Sequence, residues 1–181
     1  MQKIKNPWLH KDHYDCFGCC PDNPIGVKME FFEDGNDIVS FWKPTTHYQG
    51  WIDTLHGGVQ STLLDEICGW VVFRKLQTSG VTSKLEVRYH KSIMTTESMI
   101  TLRAHLVWKR MGMANIEATI YNEKGEVCTE ANATYFTFPQ DKAKEMGFTT
   151  CGRQPERLVG GRGYRPLQGQ RPGACRLVQQ G

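Results

Sequence analysis

Leu55-His56-Gly57-Gly58-Val59-Gln60-Ser61-Thr62-Leu63-Leu64-Asp65-Glu66 is the stretch on which the reading of this chain turns. A His and two glycines open a run in which Val59, Leu63, Ile67, Trp70 and Val71 recur at three- to four-residue spacing, the period of a helix with one buried face. The spacing predicts one long helix from Val59 to about Leu76. The glycines let a ligand approach the backbone closely. The first N–H groups of a helix have no partner inside it, so they are available to a developing negative charge. Asp65 follows about two turns later, and a carboxylate there can activate water. At about 100° per residue, Asp65 lies roughly 170° from the centre of the apolar stripe. It is therefore expected to point away from the chain's own sheet, toward a ligand or a partner subunit. Oxyanion donors beside a candidate base are much of what ester or thioester hydrolysis requires.

Outward from this helix the apolar period changes from about 3.6 to 2. Upstream, Val27, Met29 and Phe31 alternate with Lys28 and Glu30, predicting a strand. Glu33-Asp34-Gly35-Asn36 reads as a turn and Ile38 to Trp42 as a second strand. Downstream, Gln77 to Gly80 ends the helix. Strands are then predicted over Lys84 to Tyr89, Met99 to Trp108, Met113 to Tyr121 and Val127 to Phe138. Asn122-Glu123-Lys124-Gly125-Glu126 forms a hairpin turn with Gly where positive φ is needed. The order β-β-α-β-β-β-β predicts an α+β domain: one long helix against a mostly antiparallel sheet of about six strands, the other face of which is more polar.

Residues 1–26 are polar and turn-rich, with a short helix expected near the start. The domain proper is read as 27–140, and 141–181 as a Gly/Arg-rich tail. From Cys151 onward there are seven glycines, three prolines, six arginines, no lysine and one acid, Glu156. Such a composition cannot bury a core and reads as disordered. It is either a natural basic tail, since Gly160-Gly161-Arg162-Gly163-Tyr164-Arg165 weakly resembles an RNA-binding Arg/Gly segment, or foreign sequence from a frameshift or read-through. The tail carries +5 of the net charge of +3, so the first 150 residues carry −2. No nucleic-acid footprint is expected on the folded part. With 39% apolar residues over 181, the chain suits one modest core. No apolar run approaches a membrane span, and the start lacks the apolar core of a signal peptide, so a cytoplasmic location is expected. Seven irregularly spaced cysteines point to reduced thiols.

Together the element order and motifs resemble the hotdog fold, and more narrowly the PaaI-type branch of the 4-hydroxybenzoyl-CoA thioesterase superfamily. The resemblance rests on Gly50-Trp51-Ile52-Asp53-Thr54-Leu55-His56-Gly57-Gly58 with Asp65 nine residues after His56, and on Gly80-Val81-Thr82 followed by Leu85, Val87 and Tyr89. The opening Cys16-Phe17-Gly18-Cys19-Cys20-Pro21-Asp22-Asn23-Pro24-Ile25-Gly26 is also similar to one common in that branch. It implies an acyl-CoA thioesterase acting on a small or medium acyl- or aryl-CoA, self-associated as a dimer or tetramer with active sites at the dimer interface. The resemblance further implies the Gly57 N–H as donor to the thioester carbonyl, and Asp65 of the neighbouring subunit as base or nucleophile. Thr82 is implied to hold the water and His56 to order the turn, with Gly58 beside them. Coenzyme A enters as substrate, and no metal or organic cofactor is expected. One departure stands out. Related enzymes often place Asn or Gln six residues before the His, where this chain has Gly50 with Gln49 beside it. Either Gln49 reaches in, or that donor is absent.

Several features carry plainer readings. Asp65 alone is an ordinary helix charge, Thr82 a good strand former, and Glu66 a solvated or interface residue. Lys91, Lys109 and Arg110 lie at strand ends, where they either meet CoA phosphates or are simply solvated. Trp42 and Trp108 read as core or interface; Trp51 and Trp70, near the helix, are candidates to line an acyl pocket. Cys16, Cys19 and Cys20, with His10 and His13 nearby, suggest zinc. However, structural zinc usually takes four ligands, and a packed N-terminal turn is the favoured reading. Two rival functions stand beside hydrolysis: a non-catalytic acyl-CoA-binding hotdog module, and an enoyl-CoA hydratase-type protein.

Overall fold

The computed structural model describes residues 1–155. Seven strands form one antiparallel sheet: β1 (Gln2–Lys3), β2 (Phe32–Asp34), β3 (Asp37–Trp42), β4 (Gly80–Tyr89), β5 (Ile100–Arg110), β6 (Met113–Tyr121) and β7 (Val127–Thr137), in the order β1-β2-β3-β5-β6-β7-β4. Helix α1 (Gly57–Val71) lies across one face of it and runs directly into a π-helical turn, Val72–Leu76. This matches the predicted long helix and α+β class.

Helix and sheet fit because the facing positions alternate small and branched side chains. Leu102 pairs with Ile120, Ala104 with Ala118, and Ala118 with Ala131, all buried under α1. The alanines let the helix axis come close, and Leu63, Leu64, Ile67 and Val71 fill the space above them. Each fully buried branched side chain contributes about 1.5–3 kcal/mol. The opposite face is the more polar one, as anticipated: it carries Arg103, His105, Glu117 and Glu130, beside the exposed Phe41, Val107 and Phe136.

The strand expected over Val27–Phe31 does not form. Its alternation is real as burial, since Val27, Met29 and Phe31 are all buried. But Lys28 adopts a left-handed backbone (φ 54°), which interrupts extended geometry. The Val27 and Met29 N–H groups bond to Phe17 and Gly18 carbonyls rather than to a sheet neighbour. Ladder pairing starts only at Phe32, and the turn narrows to Gly35-Asn36.

Both chain ends depart from the expected domain limits. Residues 1–26 contain no helix; β1 adds an edge strand, and Ile4, Cys19 and Cys20 are buried. Beyond residue 140 the chain also remains part of the fold. A short helix α2 (Gln140–Glu145) is followed by Phe148 and Cys151, both buried, and Phe148 packs on Phe73 and Trp8. Gln154 N–H bonds to Lys3 O and Arg153 pairs with Glu33. Two apolar anchors and an ion pair thus secure residues 141–155, the first part of the expected tail. The remaining part of the expected tail, 156–181, lies outside the described residues. No helix among the described residues is long and apolar enough to cross a membrane.

Candidate active site

The turn before α1 is built around His56. Its backbone (φ −59°, ψ 132°) is extended, and its Nδ1 accepts the Gly58 N–H at 2.9 Å, capping the helix. The Gly58 donor is thereby used. The Gly57 N–H has no acceptor among the described residues. Around it, the Tyr89 hydroxyl donates to Gly57 O at 2.9 Å and shares a 2.7 Å bond with Ser61 Oγ. Tyr89 and Ser61 thus brace the turn from β4 and from one helical turn further on. Neither was singled out as a site residue; a serine one turn into a helix carries no special signal.

Gly50 sits close to His56: a Cβ there would lie 3.0 Å from the ring and 3.2 Å from the His56 Cα. The imidazole fills the space that an Asn or Gln would need. Gln49 is exposed and its Oε1 accepts the Asp53 N–H at 3.4 Å, within the 49–55 turn.

Asp65 is half-buried, not turned away from its own sheet. Its Oδ1 accepts hydrogen bonds from Thr82 Oγ1 at 2.7 Å and the Tyr135 hydroxyl at 2.9 Å. Thr82 on β4 and Tyr135 on β7 are direct cross-strand partners, which sets their hydroxyls side by side. A β-bulge follows Thr82 at once, between Thr82 and Lys84, and such bulges re-aim adjacent side chains. The helical-wheel angle missed this because it takes no account of the hydroxyls that β4 and β7 bring to the flank of the helix. Burial, and then the Asp65 charge, hold the Tyr135 phenol far above its ordinary range, so it stays a donor.

A cavity of about 310 Å³ opens beside Asp65, lined among others by Thr82, Tyr135, Phe73, Trp8 and Tyr14. The N-terminal segment therefore supplies one wall. Trp70 is fully buried and stacks on Phe31 at 4.2 Å, so it is core and lines no part of this cavity; Trp51 is largely exposed. Glu66 is not solvated: it accepts from Trp70 Nε1 at 3.0 Å and faces Cys16.

The candidate cations divide between two sheet ends. Lys91 follows Tyr89, at the end where α1 begins, and is held in an ion pair with Glu126 at 2.7 Å that raises its pKa. Lys109 and Arg110 lie at the other end, where Arg110, Met113, Phe136 and Val81 form one row across the sheet. Arg110 also stacks over Trp108 at 4.8 Å. No hydrogen bond or ion pair among the described residues joins the two groups.

Residues 53–129 match the family model described as the thioesterase superfamily. Among solved structures, a hypothetical thioesterase from Streptococcus pneumoniae crystallised with coenzyme A is 25% identical. Its alignment covers 62% of this chain and 87% of that one, with a TM-score of 0.58. The smu.793 protein of Streptococcus mutans, bound to acetyl-CoA, is 17% identical over 72% of this chain and 98% of its own (TM-score 0.59). The Escherichia coli PaaI protein of the phenylacetic acid degradation operon is 12% identical over 63% and 82% (TM-score 0.58). No curated protein matches the chain.

Proposed function

We propose that this chain, a member of the thioesterase superfamily with the hotdog fold, hydrolyses a small or medium acyl- or aryl-CoA to coenzyme A and the free acid. One observation carries the reading: a carboxylate under two hydroxyl donors and an unengaged helix-start N–H lie on the same helix, one at each end of a two-turn span. The coenzyme A and acetyl-CoA held by two structural relatives support the substrate class. The His56-Gly57-Gly58 to Asp65 spacing favours the PaaI-type branch.

Eight residues separate Gly57 from Asp65, about 12 Å along a helix. Reacting groups must sit within roughly 3–3.5 Å of their targets, so one subunit cannot bring both to a single carbonyl. A second copy with its helix antiparallel sets Gly57 of one subunit against Asp65 of the other. The active unit is therefore a homodimer, or a dimer of dimers, with two sites at each interface. The same arrangement puts Lys91 of one subunit and Lys109 and Arg110 of its partner around one site, where they meet the CoA phosphates. The thioester oxygen accepts the Gly57 N–H. Asp65 takes a proton from water as the water oxygen bonds to the carbonyl carbon; the C–S bond then breaks, and the departing sulfur takes that proton from Asp65. In the other route Asp65 attacks the carbon itself and expels the CoA thiolate, and water then cleaves the resulting mixed anhydride, giving the free acid, restoring Asp65 and supplying the proton for the thiolate. Thr82 orients the water and Asp65; His56 fixes the turn; Gly58 stays bound to His56. The reaction uses no metal or organic cofactor.

A thiol-trapping assay tests this. Wild type releases CoA, and Asp65→Asn lowers kcat/KM by about 10²–10⁴ with an unchanged circular dichroism spectrum. An Asp65→Asn protein that keeps wild-type rates overturns the assignment. The geometry at Gly50 favours one second reading, an acyl-CoA-binding module: the missing amide and the engaged Gln49 remove a carbonyl donor, whose loss can cost about 10²–10³ in rate. Tight acyl-CoA binding without CoA release supports that reading instead.

A further inference from the structure

Beside the Asp65 cavity, two thiols from the N-terminal segment meet a carboxylate from α1. Cys16 and Cys19 occupy a turn closed by the Cys20 N–H on Cys16 O at 3.0 Å. The Glu66 oxygens lie 3.8 and 3.7 Å from Cys16 Sγ, and the ligand atoms of Cys16, Cys19 and Glu66 all fall within 4.8 Å of one another. The carboxylate is fixed from behind by Trp70 Nε1. The Gly18 backbone passes so close that a Cβ there would overlap it. Among the described residues, its hydrogen-bonding partners are a thiol and an indole, neither of them cationic. A half-buried carboxylate facing two thiols is costly without positive charge nearby.

We propose that Cys16, Cys19 and Glu66 form a site for a divalent cation of the zinc class, with a fourth position open to the cavity that holds Asp65. Zinc at about 2.3 Å from sulfur and about 2.0–2.2 Å from oxygen, in tetrahedral geometry, sets donor atoms roughly 3.5–3.8 Å apart. The Cys16–Glu66 separations already fall there. Thiolates select zinc over magnesium or calcium. Binding converts both thiols to thiolates and releases two protons, so affinity rises with pH. The ion ties the turn that carries the cavity wall to α1, one residue beyond Asp65, and water from the cavity completes its four ligands. His10 and His13 take no part in the cluster.

The test is a Co²⁺ titration of the reduced, chelator-stripped full chain. One equivalent should give a thiolate-to-cobalt charge-transfer band and intense tetrahedral d–d bands, both abolished by Zn²⁺. Cys16→Ser and Cys19→Ser should each halve the charge-transfer intensity and weaken binding by at least about tenfold. Glu66→Gln should keep that band while weakening binding. Absence of the band in wild type, which needs no variant to interpret, overturns the proposal; so does a band that both serine variants leave unchanged. No substrate enters the measurement, so failure of the thioesterase reading leaves its outcome standing.

Discussion

Asp65 gains its position from two hydroxyls that do not resemble each other chemically. Thr82 is exposed and free to turn toward water, whereas Tyr135 is buried, keeps its proton, and also donates to the Asp65 backbone carbonyl at 2.8 Å. Tyr135 is thus a positioning residue. Tyr135→Phe is expected to lower kcat about tenfold with KM nearly unchanged, and to cost about 1 kcal/mol of stability. Steady-state kinetics together with urea unfolding check both; a change confined to KM would contradict the role. The placing of Gly57 and Asp65 on one helix is legible in the sequence because a helix start and a fixed offset are local patterns, whereas Thr82 enters only through the family resemblance. Tyr135 is not legible there, because only the β4–β7 register brings it to a residue 70 positions away. Its one visible sign is a bulky phenol following Ala131 and Ala133 on an otherwise small inward face.

At the scale of the element, the start of α1 does two jobs with three residues. His56 satisfies Gly58, which leaves Gly57 as the available donor. His56→Ala should cost about 1 kcal/mol as a lost cap and lower CoA release more than stability alone explains, since the Gly57 turn loosens. Thermal unfolding and thiol trapping on the same samples separate the two effects; unchanged turnover would show that the cap is structural only. The helix and the four long strands were readable because their periods persist over many residues. The stretch 27–31 was misread for a physical reason: alternation reports which side chains are buried, not where the backbone hydrogen bonds go, and Lys28 breaks the extended path. The π-turn after α1 was equally hidden. Its wider winding directs Arg74 and Lys75 onto Glu33.

At the scale of the whole molecule, Glu33 joins β2, the end of α1 and the C-terminal segment, because Lys75, Arg153 and Arg74 all converge on it. Burial alone would push its carboxyl up. The three cations outweigh burial and hold it down at about 2. A carboxylate held below its unfolded value stabilises the fold above that value, near 4.5, and this contribution is lost as pH falls toward 2. The difference in urea midpoint between wild type and Glu33→Gln should therefore stay level from pH 7 to about 5 and shrink below it. A difference that does not depend on pH would contradict the ion cluster. Composition concealed this link, since a Gly- and Arg-rich run gives no sign that Phe148, Cys151 and Arg153 are anchors. The central claim is that one site takes Gly57 from one subunit and Asp65 from the other, and mixing two crippled proteins tests it most directly. Gly57→Pro removes the donor N–H at a first helical position that tolerates proline, after a His56 already extended as the residue before proline must be. Asp65→Asn removes the base. Each should be nearly inactive alone; after dissociation and random re-pairing, the mixture should recover about a quarter of wild-type CoA release. Mixed dimers that form, by mass spectrometry, yet release no more CoA than either parent would contradict the shared site.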